Sequence, residues 1–204
     1  MSRIVVMNQV TLDGVMQAPG RVEDTRDGFG HSGWAERSGT PAEAAGALQE
    51  AMGERMVAGG GLAGWLFGRR TYEDLLGYWN QQPDSPFTPA LNNTPKYVAS
   101  TTLAEPLAWP QSTLLHGDVA GAVGALKART NGVLAVMGSG QLIEALAAAD
   151  LIDEYLLMIH PLVLGEGRRL FPAKVEASLR LVGGVTVAGG VIIAAYERTS
   201  NHRG

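Results

Sequence analysis

The sequence contains no cysteine, which excludes disulfide bonds, a thiolate nucleophile and a cysteine-ligated zinc ion. The apolar run after Arg3 is too short for a signal peptide, and no segment approaches the roughly 20 apolar residues of a membrane span. No run of lysine and arginine gives the basic stripe of a nucleic-acid-binding protein. We therefore expect a cytoplasmic protein that binds neither membrane nor nucleic acid, and we predict no metal site.

Charge of one sign is also scarce, since 16 basic and 20 acidic residues leave a formal net charge of -4. Apolar residues make up 46% of the chain, which is enough for a packed core. A length of 204 residues suits one large domain better than two. The sequence therefore predicts a single domain over residues 1–204.

Apolar patterns of strand and helix type alternate along most of the chain. Strands are predicted at 3–10, 65–68, 96–100, 114–115, 133–137 and 155–159. Helices are predicted at 41–57, 69–78, 119–126 and 142–149, and loops at 17–33 and 80–95. Near the end, residues 179–187 and 191–197 flank a glycine turn and predict a β-hairpin. This order predicts an α/β fold with a mostly parallel sheet, covered by helices, and antiparallel strands at one edge.

Gly59, Gly61 and Gly64 match the dinucleotide-binding pattern G-x-G-x-x-G. That fingerprint requires a strand before the glycines and a helix directly after them. Here a predicted helix precedes the glycines and a strand follows. We interpret them as the end of the helix.

A second glycine lies where a predicted strand turns into a helix, in Gly68-Arg69-Arg70-Thr71. The free N–H groups of a helix start favour an anion, and an arginine can pair with phosphate. Thr71 can cap the helix or donate to phosphate. The same residues also suit a capped helix with two solvated arginines, so the local pattern leaves both interpretations open.

Gly138-Ser139-Gly140-Gln141 occupies a second strand-to-helix turn, where Ser139 could also serve as a helix cap. Lys96 and the hydroxyl run from Ser100 to Thr102 mark a third strand. In open α/β sheets, ligands bind at the carboxyl ends of the strands. The three motifs together therefore predict one extended, phosphate-rich ligand.

The ordered motifs resemble the dihydrofolate reductase-like superfamily, and most closely its stand-alone members related to the reductase domain of riboflavin biosynthesis. The segments that carry the resemblance are Thr11–Gly14, Leu66–Glu73, Tyr78-Trp79, Lys96–Leu103, Val136–Gly140 and Pro161–Phe171. The resemblance implies a three-layer α/β/α fold. It also implies a reductase that transfers a hydride from NADPH, or from NADH, to a small heterocyclic or carbonyl substrate resembling a pterin or riboflavin precursor. The alternative is a nucleotide-binding module of the same fold without turnover.

The resemblance also assigns cofactor residues. The first glycine turn would bind the adenosine-side phosphates, the hydroxyls after the third strand would flank the ribose and its 2′-phosphate, and the second glycine turn would hold the diphosphate. The end of the first strand would lie by the nicotinamide. The implied cofactor residues are Val10, Met16, Gly68, Arg69, Arg70, Thr71, Ser100, Thr101, Gly138, Ser139, Gly140, Gln141 and Leu142.

Relatives often carry an arginine where this chain has Thr101, which leaves the choice between NADPH and NADH open; Arg69, Arg70 and Lys96 are the candidate cations for a 2′-phosphate. The tryptophan loop and helix acid of folate reductases are not recognisable between residues 15 and 55, so folate is not expected.

No catalytic acid is predicted from the sequence. Asp13 and Trp34 are candidates for substrate binding, with an Asp-Gly turn and simple packing as the alternatives. His31 and His160 are expected to be structural or exposed, and Arg168 and Arg169 to face a substrate phosphate or solvent. The resemblance and the apolar hairpin predict a homodimer.

Overall fold

The computed structural model describes residues 1–20, 26–37, 42–82, 87–172 and 176–199. The strands are β1 (Arg3–Thr11), β2 (Leu62–Gly68), β3 (Lys96–Ala99), β4 (Ser112–Leu115), β5 (Val133–Met137), β6 (Glu154–His160), β7 (Leu179–Thr186) and β8 (Ile192–Arg198). The α-helices are α1 (Trp34–Arg37), α2 (Ala42–Ala58), α3 (Arg69–Trp79), α4 (Phe87–Asn93), α5 (Val119–Arg129) and α6 (Gly140–Ala148). Within these ranges, no helix is long and apolar enough to cross a membrane.

The eight strands form one mixed sheet in the order β4-β3-β2-β5-β1-β6-β8-β7. β2 pairs in parallel with β3 and with β5, and β3 pairs in parallel with β4. β8 pairs antiparallel with both β6 and β7. The predicted α/β class and the C-terminal hairpin are therefore confirmed.

The chain divides into two compact units. Unit 1 comprises residues 1–5 and 56–151, and its fully buried side chains include Phe67, Val136 and Ile143. Unit 2 comprises residues 6–55 and 152–204. Leu156 and Ile193, from paired strands of unit 2, are fully buried within it.

The glycines after α2 end that helix, as predicted. α2 stops at Ala58, and Gly60 and Gly61 follow with φ angles of 86° and 97°, which are left-handed values that favour glycine. Gly64 lies on β2 itself, where a Cβ would come within 2.8 Å of the Tyr97 ring. These glycines therefore serve the backbone and the packing of β2, and their match to the dinucleotide pattern lacks the preceding strand and following helix that the fingerprint requires.

The prediction of a loop over 80–95 is wrong, because α4 lies inside it. Pro89 occupies the first turn of α4, where a backbone N–H has no partner within the helix and proline is tolerated. The short helix α1 begins directly after the predicted loop 17–33. Residues 21–25 of that loop, residues 83–86 and Pro41 lie outside the described residues.

Candidate functional site

The carboxyl ends of β2, β3 and β5 lie along one edge of unit 1, because β2 pairs in parallel with both of the other strands. Gly68 at the end of β2 pairs with Ala99 at the end of β3, and Leu66 pairs with Val136 near the end of β5. The three predicted motifs follow these strand ends. The sheet therefore brings them together within unit 1.

Gly68 begins the first of these motifs as the N-cap of α3. Its backbone is extended, with φ at -81°, and no side chain caps the helix. The first-turn N–H groups of α3, from Arg69 to Thr71, lack carbonyl partners within the helix. Within the described part of the chain, a Cβ added to Gly68 would meet only the Ser139 side chain, at an ordinary 3.7 Å. The fold itself does not require glycine at this position.

Ser139 lies between Gly138 and Gly140 in the turn from β5 into α6. Its φ and ψ of 55° and 47° are left-handed, which is unusual for a serine. Its side chain makes no cap hydrogen bond to α6, so the alternative that Ser139 caps this helix through its side chain is wrong. The hydroxyl instead accepts a hydrogen bond from Gly68 N at 2.9 Å and donates one to Met137 O at 3.2 Å.

Thr71 completes a second contact between the two turns. Its Oγ1 accepts a hydrogen bond from Ser139 N at 3.0 Å. Each turn thus donates a backbone N–H to a hydroxyl of the other. The uncapped N-termini of α3 and α6 are held at the same sheet edge, where their N–H groups and helix dipoles favour an anion.

The third strand end carries hydroxyl groups. Ser100 is 8% exposed, and its Oγ accepts hydrogen bonds from Thr102 N at 3.1 Å and Leu103 N at 3.0 Å. Thr101 is exposed. Ser100 Oγ also lies 3.4 Å from Thr102 Oγ1, and Ser100 therefore shapes the loop after β3.

The suggestion that Lys96 supplies a cation at this edge is wrong, because Lys96 begins β3 rather than ending it. Its side chain is fully buried, and Nζ donates to the carbonyls of Leu91, Asn92 and Thr94 around the end of α4. Nζ also lies 5.3 Å from the Trp109 ring centroid. Burial lowers the pKa of Lys96 to about 8. Lys96 therefore donates hydrogen bonds to the carbonyls at the C-terminal end of α4 and stabilises that region of unit 1.

In unit 2, Asp13 holds together the turn after β1 and the loop after β6. Its carboxylate accepts hydrogen bonds from Gly165 N at 2.8 Å and Leu164 N at 3.3 Å, and its backbone carbonyl accepts one from Arg169 Nε at 2.9 Å. The hydrogen bond from the Thr11 hydroxyl, supported by these N–H groups, lowers the pKa of Asp13 to about 2. Its carboxylate is thus ionised at neutral pH and engaged in turn structure.

Trp34, the second substrate candidate, is 2% exposed. Its Nε1 donates to Gln17 O at 2.8 Å, and its ring meets His160 edge to face with centroids 5.1 Å apart. It packs in a cluster with Val15 and Phe29. These contacts favour the packing interpretation of Trp34.

His160 is fully buried at the end of β6, consistent with the expected structural role. Its Nε2 lies 3.0 Å from Gln9 Oε1, within hydrogen-bond distance. Among the described residues Nδ1 is buried with no hydrogen-bond partner, and burial lowers the pKa of His160. Sequence reasoning missed Gln9, although a polar residue within a buried strand was a signal.

The other residues that the sequence analysis singled out in unit 2 include Val10, Met16 and His31. Val10 and Met16, assigned to the nicotinamide end, are buried at 4% and 7% exposure, and Met16 N donates to Arg168 O. His31 is half-exposed, with Nε2 3.4 Å from Glu166 Oε1. Among the residues the structure describes, no three histidine, aspartate or glutamate side chains are grouped to hold a metal ion.

The fold is similar to that of several solved structures. A riboflavin biosynthesis-like protein from Shewanella has a TM-score of 0.63 at 21% identity, covering 97% of this chain and 99% of that one. A pyrimidine reductase-like protein from Corynebacterium diphtheriae has 0.60 at 13%, covering 97% and 92%. Dihydrofolate reductase from Enterococcus faecalis, complexed with NADP(H), has 0.58 at 15%, covering 97% and 96%. The fold is therefore dihydrofolate reductase-like.

Sequence comparison identifies the family within this fold. The family of RibD C-terminal domains matches residues 3–193. The uncharacterized protein YyaP of Bacillus subtilis is 31% identical over 138 residues, which are 65% of this chain and 72% of YyaP. The chain belongs to the RibD C-terminal domain family, and the resemblance inferred from its motifs is confirmed.

Proposed function

We propose that the protein is a reductase that uses NADPH or NADH to transfer a hydride to a small heterocyclic or carbonyl substrate, of the pterin or riboflavin-precursor type. The observation that carries the proposal is the pair of uncapped helix starts, α3 and α6, joined through Ser139 and Thr71. Membership of the RibD C-terminal domain family supports it, and so does the fold shared with a dihydrofolate reductase complexed with NADP(H).

The two turns of unit 1 offer donors of the kind that a diphosphate accepts from, which supports the proposal. First-turn N–H groups of α6, at Gly140, Gln141 and Leu142, supply donors in line with the helix dipole. The extended Gly68 leaves room for a ligand to approach the backbone of the turn between β2 and α3. When bound, the nicotinamide would supply the hydride, while the protein supplies binding and orientation.

The substrate side of the proposal rests on unit 2. We propose that Val10 and Met16 lie by the nicotinamide, and that Asp13 and Trp34 act on substrate through the turns and packing they maintain. We further propose that the two units act together as one domain over residues 1–204.

Gly68→Ala tests the cofactor site, because the nearest described atoms leave room for a Cβ at this position, whereas we expect the Cβ to obstruct the adenosine-side phosphates of the cofactor. Wild type should bind NADPH with a Kd of about 1–100 μM, measured by calorimetry. The variant should unfold at the wild-type temperature and bind at least 10-fold more weakly. Gly77→Ala in α3, where a Cβ meets nothing within 4 Å, is the matched control and should bind normally. Wild type that binds neither NADPH nor NADH at millimolar concentration would refute the proposal.

A nucleotide-binding module without turnover is the second candidate. Asp13, with a pKa of about 2, is not a proton donor at neutral pH, and His160 is buried with a lowered pKa. NADPH oxidation assayed with pterins, flavin precursors and activated carbonyls distinguishes a reductase from a nucleotide-binding module. Tight binding with no oxidation across that panel favours the module.

We also propose a homodimer formed through the C-terminal hairpin. β7 is the last strand of the sheet order, and Leu181 and Val185 on it are 57% and 48% exposed. Unpaired edge strands with apolar side chains are prone to association. Sedimentation at micromolar concentration should show a dimer, and Leu181→Glu should shift it toward monomer; a monomeric wild type would contradict this.

A further inference from the structure

Gln9 is a half-buried polar side chain near the carboxyl end of β1, where Met7 and Val10 are buried. The oxygen of its amide faces His160, with Oε1 3.0 Å from Nε2. No hydrogen bond within the described part of the chain uses the amide nitrogen. A polar group on a buried strand lowers stability unless it finds a hydrogen-bond partner. One end of this amide therefore has its partner, and the other end remains a donor.

His160 holds the direction of this amide. It is fully buried as the last residue of β6, and the Trp34 ring packs against it edge to face. β1 and β6 are neighbours in the sheet, and Leu12 N donates to Leu162 O directly after the two strands, so their carboxyl ends lie side by side. Because Gln9 is held by a packed imidazole, it would lose little conformational freedom when a ligand binds to it.

Open α/β sheets bind ligands at the carboxyl ends of their strands, which is where Gln9 lies. An amide N–H pairs with an acceptor, and the carbonyl oxygen of a cyclic amide projects from its ring far enough to reach a half-buried donor. We propose that Gln9, held by His160, is a specificity residue that donates a hydrogen bond to the ring carbonyl of a cyclic-amide heterocycle. This inference rests on the proposed reductase function, and within that function it selects such heterocycles over simple carbonyl compounds.

The test compares pterin, which carries a ring carbonyl, with 2-aminopteridine, which lacks it, by calorimetry on protein saturated with the oxidised dinucleotide that it binds. Wild type should bind pterin about 2- to 10-fold more tightly, the net contribution of one hydrogen bond. Gln9→Glu keeps an oxygen toward His160 but replaces the donor with a carboxylate oxygen, so the preference should vanish or reverse at about pH 8, where the glutamate is ionised. Gln49→Glu on exposed α2 makes the same substitution and should leave both constants unchanged.

Thermal unfolding distinguishes a binding role of Gln9 from a purely structural one. Gln9→Met should lower the unfolding temperature, because His160 loses its hydrogen-bond partner, whereas Gln9→Glu should retain it. A pterin preference that survives in Gln9→Glu overturns the role of Gln9. So does a wild type that binds the two pteridines equally or binds neither, and NADPH oxidation with another substrate would then leave the proposed function standing. Binding of neither NADPH nor NADH overturns both.

Discussion

Ser139 and Thr71 are joined by a hydrogen bond of 3.0 Å from the serine N–H to the threonine hydroxyl, and Ser139 in turn accepts from Gly68 N at 2.9 Å. The contact links the turn before α6 to the turn before α3. Neither turn can shift without breaking a hydrogen bond to the other, so the geometry of the proposed diphosphate site depends on both hydroxyls.

Thr71→Val should destabilise the protein and weaken the cofactor site together. Valine has the shape of threonine but leaves the Ser139 N–H, which is partly buried, without its acceptor, at a cost of about 1–3 kcal/mol. Thr71→Ser keeps the hydroxyl and should retain most of the stability and the NADPH affinity. Urea unfolding and calorimetry measure both. Equal stability of the valine and serine variants would contradict the linkage.

Gly138→Ala should lose about 1–2 kcal/mol of stability from its φ of 60°, plus a further cost from contact with Thr71. A Cβ there would lie 3.0 Å from Thr71 Oγ1 and 3.1 Å from its Cγ2. Gly138→Val should in addition abolish NADPH binding. Gly117→Ala, with a φ of 68° and nothing within 4 Å of the added Cβ, isolates the cost of the backbone angle. An equal loss in the two alanine variants would show that the contact with Thr71 is harmless.

Asp13 should make the stability of the protein fall in acid. Its pKa is about 2 in the folded protein and 3.8 without its partners, so its stabilising contribution is present above pH 4 and lost as the pH falls toward 2. The contribution is about 1–2 kcal/mol after allowing for solvent screening. Asp13→Asn should flatten this part of the profile of unfolding free energy against pH. An unchanged profile would show that groups other than Asp13 determine the pH dependence of the unfolding free energy.

Lys96→Met should lower the free energy of unfolding by about 1–3 kcal/mol, because three carbonyls lose their donor. NADPH affinity should stay unchanged, since Lys96 is at the amino end of β3. The pKa of Lys96 is about 8 folded and 10.5 otherwise, so the unfolded chain holds the proton longer and this group makes stability rise between those pH values. The variant should lose that rise. Weaker NADPH binding by the folded variant would restore Lys96 as a cofactor residue.

Thr101→Arg should raise the preference for NADPH over NADH. An arginine at this exposed position after β3 would supply a cation to a 2′-phosphate bound there, worth about 10-fold as a charge-assisted hydrogen bond. The gain should shrink at high salt. Dissociation constants for both dinucleotides check it, with Thr101→Gln as an uncharged control. No change in either constant would mean that the adenosine end binds at another strand.

Periodicity and turn chemistry predicted most of the elements, and the ends of β2, β3 and β5 are each marked by a glycine or hydroxyl motif. α4 was missed because four prolines between residues 80 and 95 favour a loop, and Pro89 is compatible with a helix only in its first turn. The burial of Lys96 was not predictable from the sequence, since it depends on carbonyls that α4 places around the amine.

The site was predictable as a set of turns, but its internal contacts were not. Ser139 adopts a left-handed conformation that serine seldom takes, held by contacts with Gly68 and Thr71, which lie about 70 residues earlier in the chain. Gln9 was missed for the same reason, since its partner His160 is on another strand. Contacts between residues so distant in sequence leave no local pattern.

The burial of Lys96 also makes it a chemical reporter of local opening. Amine-reactive reagents should modify Lys127, which is half-buried, in the native protein, while the fully buried amine of Lys96 reacts only when α4 separates from β3. The rate of Lys96 acylation, followed by peptide mass spectrometry, therefore measures the opening of this region without any introduced label.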